Sequence, residues 1–174
     1  MQRTLTAAAI ALSLTAAGAA AAGAASAETA PAQTVVRAGS VPSAAGKHTT
    51  FTGSVRHDSV FKADADNPFS VSYVTFEPGA RTFWHTHPAG QRLIVMSGAG
   101  LTGTEDGAVI EILPGDAVYC PPNVKHWHGA MPGTAMTHMA LTSMKDGKNV
   151  TWLEEVTDEQ YAAAVKKVPA SSGR

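Results

Sequence analysis

The sequence predicts an all-β domain, a barrel or sandwich, with one helix at its C-terminal end. Three observations carry that reading. From about Phe51 onward, short runs rich in Val, Thr, Tyr and Phe recur along the chain. Turn signals separate them: Asp66-Asn67-Pro68, Glu77-Pro78-Gly79, Ser97-Gly98, Glu105-Asp106-Gly107, Pro114-Gly115-Asp116, Pro121-Pro122-Asn123 and Pro132-Gly133. Helix-type signals appear only near the end of the chain. Strands this short, at this spacing, build antiparallel barrels and sandwiches.

The expected strands are Phe51–Arg56, Ser70–Glu77, Thr82–His87, Arg92–Met96, Gly100–Glu105, Ala108–Leu113, Ala117–Cys120, Val124–Gly129, Ala135–Ser143 and Val150–Glu155. After them, Thr157 and Gln160 have capping-box spacing, and Asp158 and Glu159 put negative charge in a first helical turn. Tyr161, Ala162, Ala164 and Val165 supply an apolar face until Pro169 stops the helix, leaving 169–174 as a frayed tail.

The N-terminal part reads differently. Arg3 precedes an Ala/Leu/Gly-rich apolar run, and Ala25-Ser26-Ala27 has the small-x-small form of a signal-peptidase site. Residues 1–27 are therefore expected to be a signal peptide cleaved after Ala27, with the mature protein secreted or periplasmic and not membrane-bound. Residues 28–47, rich in Ala, Pro, Ser and Gly, are expected to be a flexible arm, and 48–168 one domain. With a net charge of −1 and no Lys/Arg block, nothing electrostatic points to nucleic acid or an anionic membrane. Cys120 is the only cysteine, so no internal disulfide can form, and it reads as a small buried hydrophobe.

The histidines carry the chemistry. Five of the seven fall at His85, His87, His126, His128 and His138. His85 and His87 are at i and i+2, so on a strand both face one way. Gln91 follows after Pro88-Ala89-Gly90, a turn that brings its amide back toward the pair. His126 comes 35 residues further on, with His128 at i+2. A divalent ion needs three or four ligands converging from different strands, and the inner face of a small barrel provides that.

These residues resemble the cupins. Gly79, His85-Thr86-His87, Gln91 and Gly98 have the spacing of the first cupin motif, with Gln91 where the family has Glu. Gly115, Pro121, Asn123, His126 and Ala130 have the spacing of the second, with Asn123 in place of Gly and Ala130 in place of Asn. The likeness extends to Val74–Thr82, Trp84–Pro88, Lys125–Ala130, Thr134–Met139 and Val156–Tyr161. Over roughly residues 48–162 the chain resembles small single-domain bacterial cupins, among them manganese-dependent hydroxynitrile lyases.

The resemblance implies a cupin barrel (a double-stranded β-helix or jelly roll). It implies that His85, His87, Gln91 and His126 bind one divalent metal ion per subunit, Mn by resemblance, with Fe, Zn, Co or Ni also compatible with such ligands. His128 and His138 would stand beside the metal as acid/base groups. Three imidazoles and an amide are all neutral, so the ion would keep its full 2+ charge, a stronger Lewis acid than with a Glu ligand. The expected activity is that of a metal-dependent lyase on a small hydroxyl or carbonyl compound, such as cyanohydrin cleavage or synthesis. The alternatives are an Fe/Mn-dependent dioxygenase and a non-enzymatic cupin binding a sugar or other small molecule. A homodimer or homotetramer is implied by resemblance alone. Trp84 and Trp127, of opposite parity to the ligands, read as packing residues, and His48 and His57, outside the motifs, as surface residues.

Overall fold

The turn signals do separate strands, but two of the expected strands are each cut in half. The structure, a computed structural model, describes residues 32–168. In chain order its elements are β1 (Ala44–Ala45), β2 (Phe51–Thr52), β3 (Val55–Phe61), β4 (Phe69–Phe76), β5 (Arg81–Thr82), β6 (His85–Thr86) and β7 (Gln91–Gly98). They continue with β8 (Gly100–Thr104), β9 (Val109–Ile112), β10 (Ala117–Cys120), β11 (His126–Ala130), β12 (Met136–Ser143), β13 (Thr151–Trp152) and α1 (Asp158–Lys167). The signal segment 1–27, the start of the arm and the tail lie outside the described residues. Among the described residues, no helix is long and apolar enough to cross a membrane.

The expected strand Phe51–Arg56 is split because Gly53 has φ +80°, where only glycine is unstrained, and a Cβ there would lie 2.9 Å from the Ala80 Cβ. The expected strand Thr82–His87 is likewise two pieces, β5 and β6. β1 was not expected at all: Ala44 and Ala45 pair with His57 and Arg56 on β3, inside the segment read as a flexible arm.

Two antiparallel sheets face each other as a curled half-barrel. One has the order β1-β3-β4-β12-β7-β10. In the other, β11 is central, with β5 and β6 on one side and β8 with β9 on the other, while β2 and β13 extend β5 and β6. Alternation decides what fills the interior. Val55, Val74, Phe76, Val95 and Met136 of the first sheet pack against Ala80, Ile112 and Ala130 of the second.

The helix covers the outer face of the second sheet. Trp84, Leu101, Trp127, Val156, Tyr161 and Ala164 form a separate cluster beneath it, so both tryptophans pack as their parity implied. Gly103 makes room for Trp127, because a Cβ there would lie 2.4 Å from the indole nitrogen. Both halves of the capping box form: Gln160 N donates to Thr157 Oγ1 (3.2 Å), and Thr157 N donates to Gln160 Oε1 (3.0 Å). Buried Arg81 ties barrel to helix, donating to Val156 O (3.0 Å) and to Asp158 Oδ1 (2.6 Å).

Candidate metal centre

Register brings the histidines together. His126 on β11 is the direct cross-strand partner of His85 on β6, and their ring centroids are 4.3 Å apart. His87 follows β6, its ring 5.0 Å from His85 and 5.4 Å from His126. His128, two residues along β11, faces the same way as His126. Nitrogens of His85, His126 and His128 all lie within 4.8 Å of one another.

Two left-handed turns set this approach. Gly90 (φ +80°) closes the turn after His87 and returns the chain as β7, which begins with Gln91. Asn123 has φ +62° and donates its N–H to His87 O at 2.9 Å. That conformation explains Asn123 in the glycine place of the second motif, since asparagine tolerates the left-handed region better than most residues.

Hydrogen bonds fix the tautomers. His85 Nδ1 donates to Phe83 O (2.9 Å), His126 Nδ1 to Val124 O (2.9 Å) and His87 Nδ1 to Asn149 O. A carbonyl only accepts, so each Nδ1 carries the proton and each Nε2 presents a lone pair, the arrangement of metal-ligating imidazoles. Gln91 Nε2 donates to Thr142 Oγ1 (3.1 Å), its cross-strand neighbour on β12, which leaves the amide oxygen free. His87 Nε2, His126 Nε2 and Gln91 Oε1 are all buried with no hydrogen-bond partner. Buried polar atoms of this kind are costly, and three of them in one place fit a shared cation. The nitrogens that lie together are those of His85, His126 and His128, while His87 and Gln91 add unpartnered acceptors beside them; such a neutral N/O donor set is of the kind that holds a divalent ion.

His128 and His138 form a pair of their own. Their rings share one hydrogen bond, His138 Nε2 to His128 Nδ1, at 3.0 Å. The outer nitrogen of each, His128 Nε2 and His138 Nδ1, is buried without a partner. One proton on the shared bond can belong to either ring, and its position decides which outer nitrogen donates. The pair packs on Phe76, whose ring centroid is 5.7 Å from His128 and 5.5 Å from His138.

Burial lowers the pKa of every one of these imidazoles. His126 falls to about 4 and His138 to about 3, both through desolvation. His85 and His128 are driven well below 6.5, chiefly by burial and then by neighbouring histidines, and His87 is lowered by burial. At neutral pH all five are neutral. Burial raises the Cys120 thiol to about 11, so it is no nucleophile.

The site opens into a cavity of ≈170 Å³. His85, His87, Gln91, His128 and His138 line its floor, and Ser70, Ser72, Val74, Ala140 and Thr142 its first-sheet wall. Phe51, Val150 and Trp152 supply an apolar side. His57 also lines it, contrary to the surface position expected, because on β3 it faces inward opposite Val74. Its half-buried ring has a pKa lowered by burial and partly restored by Asp58. His48 is exposed, as expected.

A barrel of two antiparallel sheets with a multi-histidine centre at one end defines the class, and sequence comparison agrees. The cupin domain model matches residues 72–142. A relative from Granulicella tundricola, an (R)-mandelonitrile lyase, is 55% identical over 127 residues, covering 73% of this chain and 97% of that protein. The chain belongs to the cupin family. Among solved structures, a cupin-like protein from Thermotoga maritima is 36% identical, with a TM-score of 0.67 over 78% of this chain and all of that one. A cupin-2 domain from Rhodospirillum rubrum, 19% identical with a TM-score of 0.57 over 76% of this chain and 86% of its own, shares the fold.

Proposed function

We propose that this cupin is a metal-dependent lyase that cleaves, or in reverse forms, small cyanohydrins. The observation that carries the reading is the His128–His138 pair, whose unpartnered nitrogens share one cavity with a neutral His/Gln donor set. The relative named (R)-mandelonitrile lyase supports the same chemistry. His85, His87, Gln91 and His126 would hold the ion, with Mn the first choice. When bound, the ion supplies Lewis acidity that makes a substrate hydroxyl easier to deprotonate.

The protein's own groups do the rest. His128 Nε2, when its ring carries the other proton on the shared bond, accepts the hydroxyl proton. The buried imidazole is a weak base, so it takes that proton only from an acidified donor and readily gives it up again. As the carbon–cyanide bond breaks, cyanide leaves with the electron pair and takes the proton from the histidine pair, giving an aldehyde and hydrogen cyanide. Phe51, Val150 and Trp152 receive the apolar substituent and keep water away from it.

The inner cavity is of single-ring size. Its volume, ≈170 Å³, is close to the roughly 150 Å³ that accommodates benzene in an engineered protein cavity. One aromatic ring with a short polar substituent fits. The test is mandelonitrile cleavage by manganese-loaded protein, followed as benzaldehyde release, beside His138→Ala. Metal-dependent turnover that falls at least about a hundredfold in the variant supports the reading. No turnover at any pH from about 5 to 8, the span in which histidine chemistry operates, refutes it. Export of the mature protein, which Ala25-Ser26-Ala27 supports, is checked by N-terminal sequencing of protein recovered from outside the cytoplasm.

A further inference from the structure

The inner cavity has a neighbour. A surface groove is lined by Ala44, Ala45, Gly46, Lys47, Thr49 and Thr50. Phe51, His57 and Trp152 line both this groove and the inner cavity, so they stand where the two spaces meet.

Each of the three is held from a different element. Phe51, on β2, lies with its ring 5.6 Å from Trp152 and 6.1 Å from Phe76, so the apolar core backs it. Trp152, on β13, is the cross-strand partner of His85, and their rings are 4.8 Å apart. His57, on β3, is paired through its backbone with Ala44 of β1. Gly46 completes the support: its N–H donates to Val55 O at 2.8 Å, and a Cβ there would lie 3.0 Å from the Phe51 ring. The segment Ala44–Thr50 is thus both the wall of the outer groove and the brace behind two of the three side chains.

We infer that Phe51, His57 and Trp152 form the entrance to the metal-centre cavity, and that His57 selects what passes: molecules with one aromatic ring and a hydroxyl or carbonyl. This rests on the function proposed above for the cavity beyond. Phe51 and Trp152 offer ring faces to an aryl group. The His57 imidazole offers both a hydrogen-bond donor and an acceptor, which a hydroxyl or carbonyl can use in passing.

The test reads access without turnover. Cobalt(II)-loaded protein is mixed with benzohydroxamate, a single-ring ligand, or with azide, a small one, and association is followed through the cobalt absorption. His57→Trp is expected to slow benzohydroxamate about tenfold and azide less than about twofold, while His57→Ala and Trp152→Ala speed benzohydroxamate. Ala163→Trp, in the separate groove beside α1, should change neither rate. If His57→Trp fails to fold by circular dichroism, His57→Phe replaces it. A benzohydroxamate-to-azide ratio within about twofold of wild type in both His57 variants overturns the inference. If cobalt produces no ligand-sensitive spectrum, the metal reading is what has failed. Exchange broadening of the fluorine signal of 4-fluorobenzyl alcohol on metal-free protein then decides the entrance. The same ordering of variants supports it, and equal exchange rates overturn it.

Discussion

The two ends of the barrel interior are built from the same strands and differ in almost everything else. Along β4 the inward residues run Phe76, Val74, Ser72, Ser70, and along β7 they run Val95, Leu93, Gln91. Along β11 they run Ala130, His128, His126, and along β12 Met136, His138, Ala140, Thr142. One end is close-packed hydrocarbon. The other gathers six imidazoles, His57 among them, and an amide around a cavity, with several polar atoms buried and unpartnered. Burial that stabilises the first end costs the second, because every desolvated imidazole there would make better hydrogen bonds in water. The apolar end holds the fold, and the polar end is retained for what it binds.

Substitutions should separate the two ends. The largest effect is expected at Phe76, which is fully buried. Phe76→Ala should lower unfolding free energy by about 3–5 kcal/mol in denaturant titrations, whether or not metal is present. At the polar end the response should depend on metal. Wild-type protein should gain about 2.7 kcal/mol at an ion concentration of about a hundred times Kd, and chelation should reverse the gain. His126→Leu should abolish that gain, and the metal-free protein should stay within about 1 kcal/mol of wild type, since removal of the unpartnered Nε2 offsets loss of the Nδ1 bond to Val124 O.

Acid sharpens the contrast further. A histidine whose folded pKa lies below its unfolded value near 6.5 binds fewer protons folded than unfolded, so it favours folding fully only above that pH. The contribution is lost as pH falls from 6.5 toward about 4 for His126 and about 3 for His138. Each such group adds a slope of about 1.4 kcal/mol per pH unit in that window. Metal-free protein should therefore lose stability steeply below pH 6.5, and His138→Phe should flatten the slope measured by thermal unfolding. The smallest effect is at the Asn123 turn. Asn123→Ala should cost about 1 kcal/mol and Asn123→Gly essentially nothing, because glycine has no Cβ to resist φ +62° while alanine has one without the local polar contacts that let asparagine tolerate it.

How much was legible in the sequence follows the same division. The strands were readable because Gly, Pro and Asn mark the turns between them, and the helix because Thr157, Gln160 and Pro169 bracket it. The ligand candidates were readable because i, i+2 parity survives folding. What escaped depends on long-range pairing. Ala44-Ala45 has no strand preference of its own and becomes β1 only because the β3 edge recruits it. His57 was placed on the surface because local sequence does not say which way β3 faces; its register opposite Val74 turns it inward. The break at Gly53 reflects the close approach of Ala80, which is distant in sequence. The proximity of His128 to His85 and His126 was likewise invisible, and it raises the one ambiguity in the ligand set.

That ambiguity can be resolved directly. Under the proposed reading, His87 and Gln91 hold the ion beside His85 and His126, and His128 belongs to the proton pair, although His128 Nε2 is as unpartnered as His87 Nε2. The decisive measurement is metal per chain, by elemental analysis, for wild-type protein, His87→Ala and His128→Ala after identical loading and dialysis. One ion per chain in wild type, kept by His128→Ala and lost by His87→Ala, is the expected result. An ion kept by His87→Ala and lost by His128→Ala would contradict it and give the metal to His85, His126 and His128.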